Sequence, residues 1–157
     1  MDESSDWYLD HSEATTDVLH EYFLPKDDAV PFLRQAKEII RAHHADLLNV
    51  TVREVETDNG TFLRYADQPM IAFVMFFSQR RTEVADRDME QLTRELIDVA
   101  LHSGGRYHLP YRLHASVEQF RSAYPQSGEF FRLKQQYDPK NPFENEFYLK
   151  YGEPLSF

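Results

Sequence analysis

Cysteine is absent, which excludes disulfides and thiolate metal sites and is compatible with a reducing compartment. Glycine is scarce, with 5 in 157 residues, and none of them forms a GxGxxG or Walker-type loop, so no phosphate-cradling turn is visible. Basic residues never collect in a tract, and the formal net charge is −10, so a nucleic-acid backbone is not an expected partner. Long hydrophobic runs are missing too. The longest, "MIAFVMFF" from Met70 to Phe77, is far too short to span a bilayer, and "MDESSDWYLD" at the start has no signal-peptide character. The expected location is cytoplasmic.

Hydrophobic residues make up 41% of the chain and aromatics 14%, enough for one globular domain with a true core. The patterning sets an order of elements. Residues 1–17 are acidic and without period, and "HEYFLP" reads as a strand that ends at Pro25. Asp27 or Asp28 can cap a helix with Phe32, Leu33, Ala36, Ile39, Ile40 and His43 on one face. In "DLLNVTVREVE", Leu48, Val50 and Val52 alternate with Asn49, Thr51 and Arg53, which predicts a strand with one buried face. "TDNG" is a turn signal, and "PMIAFVMFF" then reads as a strand buried on both faces. A helix over 84–101 carries Met89, Leu92, Leu96 and Val99 and stops at Gly104 and Gly105.

This order predicts an α+β fold, an antiparallel sheet flanked by helices on one face in a ferredoxin-like arrangement, with "RYHLP" as the fourth strand. The expected units are an acidic segment over 1–17, the α+β unit over 18–109 and a helical tail over 110–157. In that tail, "SVEQ" is a capping box and "GEFFRLKQQYDP" a helix stopped before Pro139.

Catalytic signatures are few. No HExxH, HxH or GxSxG occurs, so no metal site is expected and the acidic face of the second long helix reads as solvated. The stretch "GGRYHLPYRLHAS", Gly104 to Ser116, is the exception. His108, Tyr111 and Arg112 put an imidazole, a phenol and a fixed cation within five residues, a set that can hold an anionic or polyhydroxylated ligand. The same residues also read as a strand end whose tyrosines pack and whose arginine meets a carboxylate.

From Gly104 to Tyr151, "GGRYHLPYRLHASVEQFRSAYPQSGEFFRLKQQYDPKNPFENEFYLKY" resembles the C-terminal end of FAD-linked oxidoreductases of the vanillyl-alcohol oxidase superfamily. The nearest branch holds the alditol and aldonolactone oxidases and the decaprenylphosphoryl-ribose oxidases. The resemblance lies in the Gly-Gly turn, the aromatic and basic strand, "AYP" at 123–125 and "DPKNPFENEF" at 138–147. Upstream, "HEYFLP" and "LNVTVREV" are similar to that family's substrate, or cap, domain. The resemblance implies an enzyme that oxidises a hydroxyl of a sugar, polyol or aldonolactone by hydride transfer to FAD. It implies substrate contacts from Tyr107, His108 and Tyr111, with His108 orienting or deprotonating the hydroxyl. Arg112 would place positive charge beside the flavin, and Asn145 would tie the tail to the flavin domain. The family's glycine-rich pyrophosphate loop has no counterpart in this sequence, so the expected partner is an FAD-binding domain from the same gene or another subunit, and the chain alone is expected to be inactive. Competing readings are a stand-alone ferredoxin-like ligand-binding or dimerisation module, which would form a homodimer over its uncovered sheet face, and a small cofactor-free isomerase or hydrolase using His108.

Overall fold

In the computed structural model, which describes residues 14–152, four strands form one antiparallel sheet in the order β2-β3-β1-β4. The strands are β1 (Thr15–Pro25), β2 (Asp46–Val55), β3 (Met70–Arg80) and β4 (Arg106–His108). Helix α1 (Ala29–Ala42) joins β1 to β2, and α2 (Glu83–His102) joins β3 to β4. With β3 seated antiparallel between β1 and β2, this is the split βαβ arrangement, ferredoxin-like as the patterning predicts. Three shorter helices complete the tail: α3 (Val117–Ala123), α4 (Ser127–Tyr137) and α5 (Glu146–Tyr151).

Both long helices lie on one face of the sheet because each has a single apolar stripe. Phe32 and Ala36 of α1, and Met89, Leu92, Leu96 and Ala100 of α2, are buried against Tyr22, Leu24, Phe73, Met75 and Phe77. β3 is apolar in both directions, as its sequence predicts. Its alternate residues Met70 and Ala72 join Phe23 and Ala66 in a smaller cluster on the opposite face.

Some local expectations are corrected. β1 begins at Thr15, so the strand extends into the stretch expected to be a loop; residues 1–13 lie outside the described residues. Asp28 occupies the N-cap of α1, but a 3-10 turn over Lys26–Asp28 leads into the helix and the Asp28 side chain makes no capping bond. His43 is the C-cap of that helix, and its side chain, 9% exposed, turns to Asp88 and Glu95 of α2. β2 has a bulge between Leu47 and Asn49. Leu47, not Leu48, therefore packs on the core together with Val50 as expected, while Val52, on the same face as Val50 and paired with Phe73, is 59% exposed.

Candidate functional site

The loop after α2 is placed by its two glycines. Gly104 takes a left-handed turn at φ 65°, and Gly105 passes so close to β1 that a Cβ would lie 2.5 Å from the Phe23 carbonyl oxygen. The chain then runs as β4 along β1, pairing Tyr107 with Tyr22 and His108 with Glu21. Successive side chains in a strand point to opposite faces. Tyr107 enters the core, while His108 lies on the second face of the sheet.

On that face His108 is held from two sides. Its Nδ1 is 3.1 Å from Glu21 Oε2, and its ring stacks on Tyr65 at 6.0 Å between centroids. Tyr65 in turn stacks on Phe23 at 4.3 Å. The loop carrying Tyr65 is pinned by Arg106, whose guanidinium binds the Asp67 carboxylate and the Ala123 carbonyl. Since a carboxylate can only accept, Nδ1 of His108 donates to Glu21, so in the neutral ring Nε2 is the acceptor.

Beside His108 lies a cavity of about 260 Å³. Its far wall comes from the tail, with Phe120 and Tyr124 of α3 and Phe147 and Tyr151 around α5. Leu63, Leu109 and Leu113 add aliphatic surface, and His108 and Arg112, both exposed, stand at its mouth. Arg112 makes no ion pair with a described residue. The phenols deeper in are neutral, because burial raises the pKa values of Tyr107, Tyr124 and Tyr151 above the ordinary tyrosine range. Tyr124 donates to the Tyr107 carbonyl and Tyr151 to the Ala115 carbonyl, whereas the buried Tyr107 hydroxyl has no partner.

Tyr107, His108 and Arg112 are thus brought together as the sequence suggests. Tyr111 and Asn145 are not. Tyr111 is 64% exposed and does not line the cavity, while Asn145 caps α5, its Oδ1 accepting from the Tyr148 N–H at 2.9 Å. Glu21 and Tyr65 are the residues that sequence reasoning misses, since only strand register and loop folding bring them to His108. Among the described residues no cluster of three or more His, Cys, Asp or Glu could hold a metal ion, and no helix is long and apolar enough to cross a membrane.

A family model described as D-arabinono-1,4-lactone oxidase matches residues 8–151. The chain belongs to this family. The match is to the C-terminal region of FAD-linked oxidases, which makes the chain the corresponding part of an aldonolactone-oxidase-like enzyme. Comparison with curated proteins returns no match. The cofactor that the D-arabinono-1,4-lactone oxidase family implies is FAD, and the residues present fit one end of it. The guanidinium of Arg112, which has no ion pair among the described residues, suits the electron-rich edge of a reduced flavin ring. For the pyrophosphate there is no glycine-rich turn, because the Gly104–Gly105 pair is spent on ending α2 and passing beneath β1.

Proposed function

We propose that this chain forms the substrate side of an FAD-linked oxidoreductase acting on a hydroxyl group of a sugar, polyol or aldonolactone. The observation that carries the reading is one cavity mouth that holds the His108 imidazole, anchored through Nδ1 on Glu21, beside the Arg112 guanidinium, which has no ion pair among the described residues. His108 accepts the hydroxyl proton at Nε2 while Glu21 steadies the imidazolium that results. Arg112 holds negative charge that builds up at the mouth. Leu109, Leu113 and Phe147 keep water away from the reacting carbon. Bound FAD supplies one thing, acceptance of a hydride from that carbon. The pyrophosphate-binding domain comes from the same polypeptide or a second subunit, and without it the chain has no oxidase activity.

The test is stopped-flow reduction of the flavin in the complete enzyme. His108→Ala is expected to slow reduction by about 10²-fold or more, the range of general acid-base catalysis, with substrate affinity changed only a few-fold. An unaltered reduction rate removes His108 from the chemistry.

A further inference from the structure

We propose that Asn59, followed by Gly60 in the loop between β2 and β3, is a site of spontaneous deamidation that the Asp58 carboxylate restrains in the folded chain. The inference does not depend on the FAD-linked reading, and it concerns the "TDNG" turn, which that reading leaves without a role.

The chemistry follows from the neighbours. The Gly60 amide nitrogen attacks Asn59 Cγ, the new N–C bond closes a succinimide ring, and the Cγ–Nδ2 bond breaks to release ammonia, which takes up the Gly60 amide proton. Water then opens the ring at either carbonyl and leaves aspartate or isoaspartate, with nothing oxidised or reduced. Glycine hinders this attack least because it has no Cβ, and both residues are exposed. The turn itself works against the reaction. Asp58 Oδ1 accepts from the Gly60 N–H at 2.8 Å and from the Thr61 N–H at 3.0 Å, closing an Asx turn. The Gly60 nitrogen must give up its proton to react, and beside a carboxylate that loss sets two negative charges together. The carboxylate stays ionised, since the Thr61 hydroxyl and N–H, with the Gly60 N–H, lower the Asp58 pKa.

Position gives the reaction a consequence. The Asp58 N–H donates to the Ala66 carbonyl at 2.7 Å, and the Phe62 carbonyl accepts from Gln126 at 2.8 Å, so Asn59 and Gly60 lie between two tied points. Isoaspartate inserts one methylene, about 1.5 Å of backbone, between them. The same loop then carries Leu63 into the cavity wall and Tyr65 onto the His108 ring.

Ageing the whole chain in mildly alkaline buffer, followed by peptide mass spectrometry, tests this. A gain of about 1 Da confined to the peptide that holds Asn59 is expected. Gly60→Ala should slow it about tenfold or more, and the fold accepts the methyl, because Gly60 is outside the left-handed region and the nearest contact would be 3.7 Å. Asp58→Ala should speed it about threefold or more. No gain at Asn59, a rate indifferent to Gly60→Ala, or a rate that Asp58→Ala leaves unchanged or lowers overturns the proposal. In the isoaspartate form the ring resonances of Tyr65 and His108 should move, whereas Asn59→Asp, which adds the charge without the methylene, should leave them in place. Unmoved resonances in the isoaspartate form overturn the link to the site. None of these readouts involves flavin reduction, so this proposal and the role of His108 can fail separately.

Discussion

At the scale of single residues, two histidines that sequence spacing leaves undistinguished are given opposite behaviours by their surroundings. His20 is fully buried and sits in a chain of hydrogen bonds from the Tyr22 hydroxyl (3.2 Å) through His20 to Thr93 (3.5 Å) and on to His114 (3.1 Å). Thr93 gives its own proton to the Met89 carbonyl, so both imidazoles donate to it, and burial favours the neutral form of both. Burial, aided by His114, pushes the His20 pKa down from 6.5 to about 3. The unfolded chain therefore binds a proton that the folded chain refuses, and stability falls by about 1.4 kcal/mol per pH unit as pH drops from 6.5 towards 3. Urea unfolding between about pH 6 and about pH 4.5 should show a slope that His20→Leu makes shallower by that amount. An unchanged slope would mean that His20 is not held neutral. His43 runs the other way. Burial opposes its charge, but Nδ1 lies 2.8 Å from Asp88 and Nε2 3.3 Å from Glu95, and together these carboxylates raise its pKa above 6.5. Its contribution is complete below 6.5 and lost as pH rises through the raised value. The stability advantage over His43→Gln should be at most about 1 kcal/mol near pH 6 and absent near pH 8.5, since the carboxylates are partly exposed.

Among the elements, the turn between α2 and β4 governs where His108 ends up. An added Cβ at Gly105 would lie 2.5 Å from the Phe23 oxygen and 2.9 Å from the Ala100 oxygen, both backbone atoms that cannot move aside cheaply. Gly105→Ala should therefore cost about 3 kcal/mol, and Gly104→Ala about 1–2 kcal/mol, because its φ of 65° is strained but its nearest contact is 3.8 Å. Equal or reversed costs in denaturant melts would contradict this packing. Much at this scale is legible in the sequence. The apolar repeat of α2, its glycine stop and the Ser116–Gln119 capping box all take the form their residues imply, because each is decided by neighbours within one or two turns. β2 is misread at one end because a bulge between Leu47 and Asn49 turns Leu47 instead of Leu48 to the core, while Val50 keeps its expected face, and nothing in "DLLNV" announces a bulge. α5 escapes notice because six residues give no period to recognise, although Asn145 does cap it. The site divides the same way. His108 and Arg112 stand close in sequence, whereas Glu21 is 87 residues from His108 and is found only through strand register.

For the whole molecule, the two faces of the sheet are treated differently, and this bears on what the chain binds. One face is sealed by α1 and α2, while the other is only partly covered, by the loop that brings Tyr65, Ala66 and Asp67 over Phe23 and Ala72. At the border of that loop stands His108, and just beyond it in sequence come the exposed Tyr111 and Arg112, the latter with no ion pair among the described residues. An exposed aromatic residue and an exposed arginine, adjacent in sequence, are the residue types that interfaces concentrate. A flavin-binding domain seated there would complete the proposed site from outside, and α1, on the sealed face, would feel nothing. Hydrogen exchange measures this directly. With the flavin-binding domain of a D-arabinono-1,4-lactone oxidase supplied as a separate polypeptide, amides over 106–113 should slow about tenfold or more while those of α1 stay unchanged. Tyr111→Asp should weaken the association about tenfold without altering the chain's own unfolding midpoint, because its ring is 64% exposed and touches little of the fold. Unchanged exchange over 106–113, together with a stable homodimer by light scattering, would instead make the partner a second copy and give precedence to the stand-alone module.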